Sequence, residues 1–163
     1  SQVSRLFSRK GFNIESLAVG TTDDPTISRM TIELMANQNH TDLICNQLAK
    51  MVPVHSVKLL TPAHSIRREL VLYKVRAHDS EVRNEIIQIA NIFRGSIIDV
   101  STETLTMSVI GDEKKTSAVQ ELLANFGITE LVRTGIIALE RGKYTIDEDT
   151  KVKGEFNYGK NVL

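Results

Sequence analysis

The sequence predicts an α+β protein built from two tandem βαββαβ units, and three observations lead there. The segment Gly11-Phe12-Asn13-Ile14-Glu15-Ser16-Leu17 follows a helical stretch, and Phe93-Arg94-Gly95-Ser96-Ile97-Ile98-Asp99-Val100 follows another, so a plan of helix, glycine stop and hairpin occurs twice. Stretches with period-two hydrophobicity alternate with stretches of helical period along both halves. Neither copy carries a catalytic constellation, so the duplication reads as a sensor and not as an enzyme.

The first half opens in a helix, with Val3, Leu6 and Phe7 on one face and Gly11 as its stop. Residues Phe12 to Gly20 then alternate as a strand that is apolar on much of both faces, which predicts cover on both sides, at least in part. Thr22-Asp23-Asp24-Pro25 has turn chemistry, and Met30, Ile32 and Leu34 alternate with Thr31 and Glu33 to complete a β-hairpin. Thr41-Asp42 is suited to open a helix with Ile44, Leu48 and Met51 on one face; Pro53 ends it before a short strand, Val54 to Leu60. Thr61 to Ser65 reads as a linker.

The second half has the first strand that the first half lacks, Arg68 to Arg76. Asp79 or Ser80 caps a helix with Val82, Ile86, Ile89, Ala90 and Phe93 inward, and Gly95 stops it. A hairpin follows, with Ile97, Ile98 and Val100 in one strand and Leu105, Met107 and Val109 in the other. Asp112 or Glu113 starts a helix with Val119, Leu122, Leu123 and Phe126 inward, Gly127 closes it, and Ile128 to Leu139 reads as one last strand. The predicted organisation is thus a unit over residues 1–60, a linker over 61–65, a unit over 66–142 and a polar tail over 143–163, flexible or pinned by a partner. In a split βαβ unit the first strand lies inside the sheet. Its absence from the first unit predicts roughly 15 further residues upstream, from a strand of about 5–6 residues plus a loop and a helical turn.

Composition narrows the function classes. With 41% hydrophobic and 25% charged residues and no net charge, the chain is globular and has no electrostatic call on nucleic acid. A half of about 70 residues buries only about 60% of its unfolded surface and is marginal alone, so each half leans on a neighbour. The lone Cys45 rules out an internal disulfide and reads as a small buried hydrophobe. His40, His55, His64 and His78 lack ligand spacing, so no metal site is predicted. Gly111-Asp112-Glu113-Lys114-Lys115-Thr116 lacks the second glycine of a phosphate loop and places acids where phosphate would sit.

Four segments together resemble a known family: Leu6 to Leu17, Thr22 to Ile32, Ile92 to Val100 and Val132-Arg133-Thr134-Gly135. They closely resemble the small, regulatory subunit of acetohydroxyacid (acetolactate) synthase, over residues 1 to about 142. The resemblance implies tandem ferredoxin-like domains, an ACT domain and an ACT-like one. It implies no catalytic residue in this chain and no cofactor; thiamine diphosphate, Mg and FAD would belong to the catalytic large subunit. That subunit is the implied partner, activated by this one and made sensitive to feedback by valine or, in some members, leucine or isoleucine. The effector would bind where two ACT domains of a homodimer meet. On the second strand of that domain, Asn13, Ile14, Val19 and Gly20 match the family's pocket residue by residue. The chemistry is consistent: Ile14 and Val19 offer an apolar wall, Asn13 offers both donor and acceptor, and Gly20 admits close backbone approach. Read from the strand pattern alone, the same residues are core and turn positions. The resemblance further implies a bacterial cytoplasmic or a plastid protein without membrane association. The alternative on this sequence is an ACT-type amino-acid sensor acting on a different enzyme.

Overall fold

The structure is a computed structural model and describes residues 2–147. The described chain divides into two compact units, one comprising residues 2–67 together with residues 137–147, the other Arg68–Ile136.

The first unit begins with α1 (Gln2–Arg9), which buries Phe7. Its end shows why the glycine is there. Gly11 sits at φ +71°, its N–H donates to the Ser8 carbonyl at 3.3 Å, and the Phe12 N–H donates to the Phe7 carbonyl at 3.1 Å. This paired closure satisfies two orphan carbonyls and brings Phe12 against Phe7 in the core. The turn holds Phe12 and Asn13, so the strand β1 (Ile14–Thr21) starts two residues later than the alternation predicts. It pairs antiparallel with β2 (Ser28–Leu34), with a bulge between Ile14 and Ser16. The helix α2 (Gln38–Ala49) starts ahead of Thr41-Asp42, because Asn37 is the cap: its side chain accepts from the His40 N–H at 2.9 Å. Thr41, expected as the cap, instead donates its hydroxyl to the Asn37 carbonyl at 2.8 Å from inside the first turn. Phe7, Leu34, Ile44 and Leu48 form the buried core, with Leu6, Ile14, Ile32 and Met51 packed around them. Both β1 and β2 belong to a two-stranded sheet, and the outward side chains of β1 are exposed, not covered as their apolar character predicts.

Residues 54–60 are not a strand. A strand needs a paired neighbour to satisfy its backbone, and none lies alongside this segment among the described residues. The predicted linker contains a short 3₁₀ turn, Pro62–His64, and both residues flanking it, Thr61 and Ser65, are buried. Lys58 and Glu140 form an ion pair with side chains 9% and 11% exposed, and Lys58 also donates to the Thr145 carbonyl.

The second unit is a complete split βαβ arrangement. Its elements are β3 (Ser65–Arg76, whose first residues belong to the other unit), α3 (Ser80–Ile92), β4 (Ser96–Val100), β5 (Thr104–Gly111), α4 (Glu113–Ala124) and β6 (Ile128–Arg133). The strand order is β4-β5-β3-β6 with every pair antiparallel. Val71, Tyr73 and Val75 of β3 and Leu105, Met107 and Val109 of β5 alternate onto the face that carries Ile86, Ala90, Val119 and Leu123 of the helices. Asp79 and Asp112 cap the helices, accepting from the Val82 and Lys115 N–H groups at 2.8 and 3.0 Å.

Three details of this unit depart from the sequence reading. The left-handed residue ending α3 is Arg94, at φ +56°, not Gly95. Gly95 stands one position further, where an added Cβ would lie 2.8 Å from the Ser108 carbonyl oxygen and 3.0 Å from Val109 Cγ2, so it is needed for close approach to β5. Leu122 is 41% exposed, since Val119 and Leu123 already fill the inward stripe of α4. The expected last strand is two strands: β6 ends at Arg133, and β7 (Ile137–Glu140), which pairs with β3, starts after Gly135 turns the chain at φ +87°. Most of the predicted tail lies outside the described residues.

Candidate functional site

The residues singled out for effector binding all lie at or on β1. Asn13 precedes the strand and is exposed. Ile14 is the first strand residue, opposite Leu34, and packs against the Phe7, Ile44 and Leu48 core. Val19 is opposite Met30 and 59% exposed, on the outward face that it shares with Glu15 and Leu17. Gly20 is opposite Arg29, and a Cβ added there would meet nothing within 4 Å. The fold therefore brings the four together along one strand but divides the two apolar members between its faces. Asn13 and Val19 are open to solvent, while Ile14 is anchored.

The hairpin turn next to Gly20 is held by its own polar groups. The Thr22 N–H donates to the Ile27 carbonyl at 3.0 Å, and the Thr22 hydroxyl donates to the Asp24 carbonyl at 2.9 Å. Asp24 Oδ1 accepts from the Thr26 hydroxyl at 2.7 Å and from the Thr26 N–H at 2.9 Å. These two bonds, the side-chain one foremost, hold the Asp24 carboxyl below its ordinary range. Asp24 is thus engaged in turn geometry, as its sequence context indicates.

One residue near the site escaped the sequence reading. Arg29 stands directly across from Gly20, and its Nη2 donates to the Ala138 carbonyl at 2.8 Å. Nothing local marks it. Only the strand register, set by the six-residue turn from Thr22 to Ile27, places Arg29 opposite the glycine. Glu33, on the same strand, forms an ion pair with Arg67.

The remaining reactive groups are structural. Cys45 is half-buried on α2, and burial, followed by the nearby Asp42 charge, pushes its thiol upward, away from nucleophilic character. Among the described residues there is no group of three or more His, Cys, Asp and Glu side chains that could hold a metal ion. No helix among them is long and apolar enough to cross a membrane. The buried polar cluster of the second unit is internal: the Tyr73 hydroxyl donates to the Thr116 carbonyl at 2.7 Å, and the Thr116 hydroxyl donates to Glu69 Oε1 at 2.7 Å.

Two family models match the chain, one after the other. Residues 1–56 match the family model described as AHAS small subunit-like ACT domain, and residues 68–142 match that of the small subunit of acetolactate synthase. A protein of Methanothermobacter thermautotrophicus named "Probable acetolactate synthase small subunit" is 48% identical over 145 residues, covering 89% of this chain and 86% of its own. The acetolactate synthase small subunit of Aquifex aeolicus is 40% identical over 93% of this chain and 79% of its own. The crystal structure of the acetolactate synthase small subunit from Thermotoga maritima superposes with a TM-score of 0.78 at 37% identity, covering 88% of this chain and 89% of that one.

Proposed function

The chain belongs to the acetolactate synthase small-subunit family, and from that premise we propose that it is a non-catalytic regulatory subunit. It activates a thiamine-diphosphate-dependent catalytic subunit and confers feedback inhibition by a branched-chain amino acid, valine foremost. The observation that carries this reading is the match of both halves, in order, to the two domains of the small subunit. Thiamine diphosphate, Mg and FAD belong, on this reading, to the catalytic partner.

The effector site lies where the first units of two chains meet, with β1 contributing Asn13, Ile14, Val19 and Gly20. The exposed Leu17 and Val19 on a two-stranded sheet support such a pairing, because an exposed apolar strand is a ready template for association with another chain. Asn13 supplies the polar contact to one charged end of the amino acid, and Val19 supplies part of the wall for its side chain.

The decisive experiment is a valine titration of holoenzyme reconstituted with Asn13→Ala, beside an activation curve against subunit concentration. Removing a hydrogen-bonding partner of a charged ligand end costs about 1.5–3 kcal/mol, which raises the inhibition midpoint roughly 10- to 150-fold. Activation stays near wild type because it depends on contact with the large subunit. An unchanged midpoint removes Asn13 from the site. Acetolactate formation by the purified chain without the large subunit refutes the non-catalytic assignment itself.

A further inference from the structure

Two side chains of β2 reach out of the hairpin to the rest of the first unit. Arg29 donates from Nη2 to the Ala138 carbonyl at 2.8 Å, and Glu33 forms its ion pair with Arg67. Glu33 lies opposite Ser16 and Arg29 opposite Gly20, and the period of a strand puts both on one face. The two ties differ in reach. The Glu33 tie spans 34 residues of sequence, whereas the Arg29 tie spans 109 and joins the candidate effector hairpin to the segment by which the chain returns to the first unit. Ala138 is 6% exposed, so water does not compete freely for its carbonyl. The returning segment is itself fastened: Glu140 pairs with Lys58, the Arg141 N–H donates to the His64 carbonyl at 2.8 Å, and Lys58 also donates to the Thr145 carbonyl. A displacement of Arg29 against Ala138 is therefore passed to a strap that is tied along its length and is not lost in a loose end.

We propose that Arg29 is a positioning residue for feedback inhibition: through the Ala138 carbonyl it carries the state of β1 at Val19 and Gly20 to residues 137–147, without being a ligand of the effector. The register gives the reason for the indirect role. Val19 pairs with Met30 and Gly20 with Arg29, and successive strand positions point to opposite faces. An amino acid seated against Val19 thus acts on one face of the hairpin, while the guanidinium stands on the other with a donor committed to its own chain. Gly20 places no side chain on the rung that it shares with Arg29, and an added Cβ there would meet nothing within 4 Å, so the guanidinium is the only side chain at that rung to follow a movement of the strand. An effector regulates only where it binds two arrangements unequally, and the coupling between two sites is then the same in both directions. Here the two arrangements differ in whether Arg29 holds Ala138. The inference rests on the effector reading given above, and the experiment separates the two.

The test uses holoenzyme reconstituted from the full chain and its catalytic subunit. Three quantities are read: activation without valine, the depth of inhibition at saturating valine, and the inhibition midpoint. Valine binding to the full chain alone is measured by isothermal titration calorimetry. Arg29→Met and Arg29→Gln both remove the tie to Ala138, the second keeping a polar side chain should the first misfold. Both are expected to activate within about twofold of wild type and to bind valine within about fivefold, while inhibition at saturation becomes at least about threefold shallower, which is inside the usual range of coupling between sites. Arg29→Lys, which keeps a cation able to donate to the same carbonyl, is expected to recover at least about half of the lost depth. Hydrogen exchange on the full chain gives a readout free of the catalytic subunit: valine is expected to change exchange across residues 137–145 in wild type, and in Arg29→Gln by less than about half as much. A weaker valine affinity with a full depth of inhibition at saturation makes Arg29 a ligand and overturns the inference. Parallel loss of activation and inhibition makes it merely structural and overturns it too, as does a wild-type depth in both variants. If the wild-type chain binds none of valine, leucine and isoleucine, the effector reading fails and this inference with it; wild-type binding followed by any of the three preceding outcomes overturns this inference alone.

Discussion

Gly95→Ala is the substitution whose effect the structure determines most directly. The residue is not in the left-handed region, so backbone strain is not the issue. Space is. A methyl group there would stand 2.8 Å from the Ser108 carbonyl oxygen and 3.0 Å from Val109 Cγ2, and neither is the far end of a flexible side chain. Ser108 is held in the β5 ladder opposite Leu72 and Ser96, and Val109 is fully buried in the core. Forcing a methylene-sized group into such a site costs about 1–3 kcal/mol. Removing a glycine also stiffens the unfolded chain, which returns about 0.4–1 kcal/mol. The net is a destabilisation of up to about 2.6 kcal/mol, centred near 1.3 kcal/mol. For a unit of this size, about 1.5 kcal/mol lowers the thermal midpoint by roughly 6–12 °C. Gly20→Ala is the matched control, because nothing lies within 4 Å of its added Cβ and its φ is outside the left-handed range. It should leave stability unchanged or raise it by up to about 1 kcal/mol. The assay is thermal and urea unfolding of the full chain by far-UV circular dichroism, with the near-UV tyrosine signal reporting on buried Tyr73; the chain has no tryptophan to obscure it. If Gly95→Ala proves as stable as Gly20→Ala, the close packing of the α3 terminus on β5 is not what the glycine provides.

Thr116→Val should destabilise the second unit by about 1.5–3 kcal/mol in urea titrations, since Glu69 is 4% exposed and loses a hydroxyl donor to its carboxylate; a loss under about 0.5 kcal/mol would show that this bond is dispensable. Burial pushes the Tyr73 hydroxyl up to about 12, above its ordinary value of 10.0, so the folded state retains a proton that the unfolded chain gives up. The associated stability is therefore fully present below pH 10 and is lost as pH rises from 10 to about 12. Unfolding free energies across that window should show this loss, and Tyr73→Phe should flatten the slope; an equal slope in the variant would assign it to other groups.

The second unit was the more legible half because all of its strands have partners within the sequence. Its alternation, its aspartate caps and its glycine at the end of α4 each correspond to a local physical signal, and local signals agree with the sheet that results. The errors there came from positions decided by tertiary approach. Gly95 looks like a helix stop, yet a neighbouring arginine takes the left-handed conformation because the glycine is needed against β5. The run Ile128 to Leu139 looks continuous, yet Gly135 turns it. In the first unit, Val54 to Leu60 has strand composition but no strand alongside among the described residues, and strand character without a partner is not a strand. Arg29 was invisible for a related reason: which residue faces Gly20 depends on hairpin register, which is a property of the turn and both strands together.

The split of the candidate effector residues between the two faces of β1 constrains how their roles are separable. Ile14 packs on Phe7, Ile44 and Leu48, so truncating it opens a cavity in the small core of its unit and weakens folding along with any binding. A change in inhibition by valine at that position would carry no information about contact. Val19 has more than half its surface exposed and Met30 as its cross-strand neighbour, so truncation there removes little burial within the chain. Any effect of substituting Val19 on the inhibition midpoint must then arise from something that covers the outward face of β1. The outward face is where the effector model can be tested apart from stability, and the inward face is where it cannot.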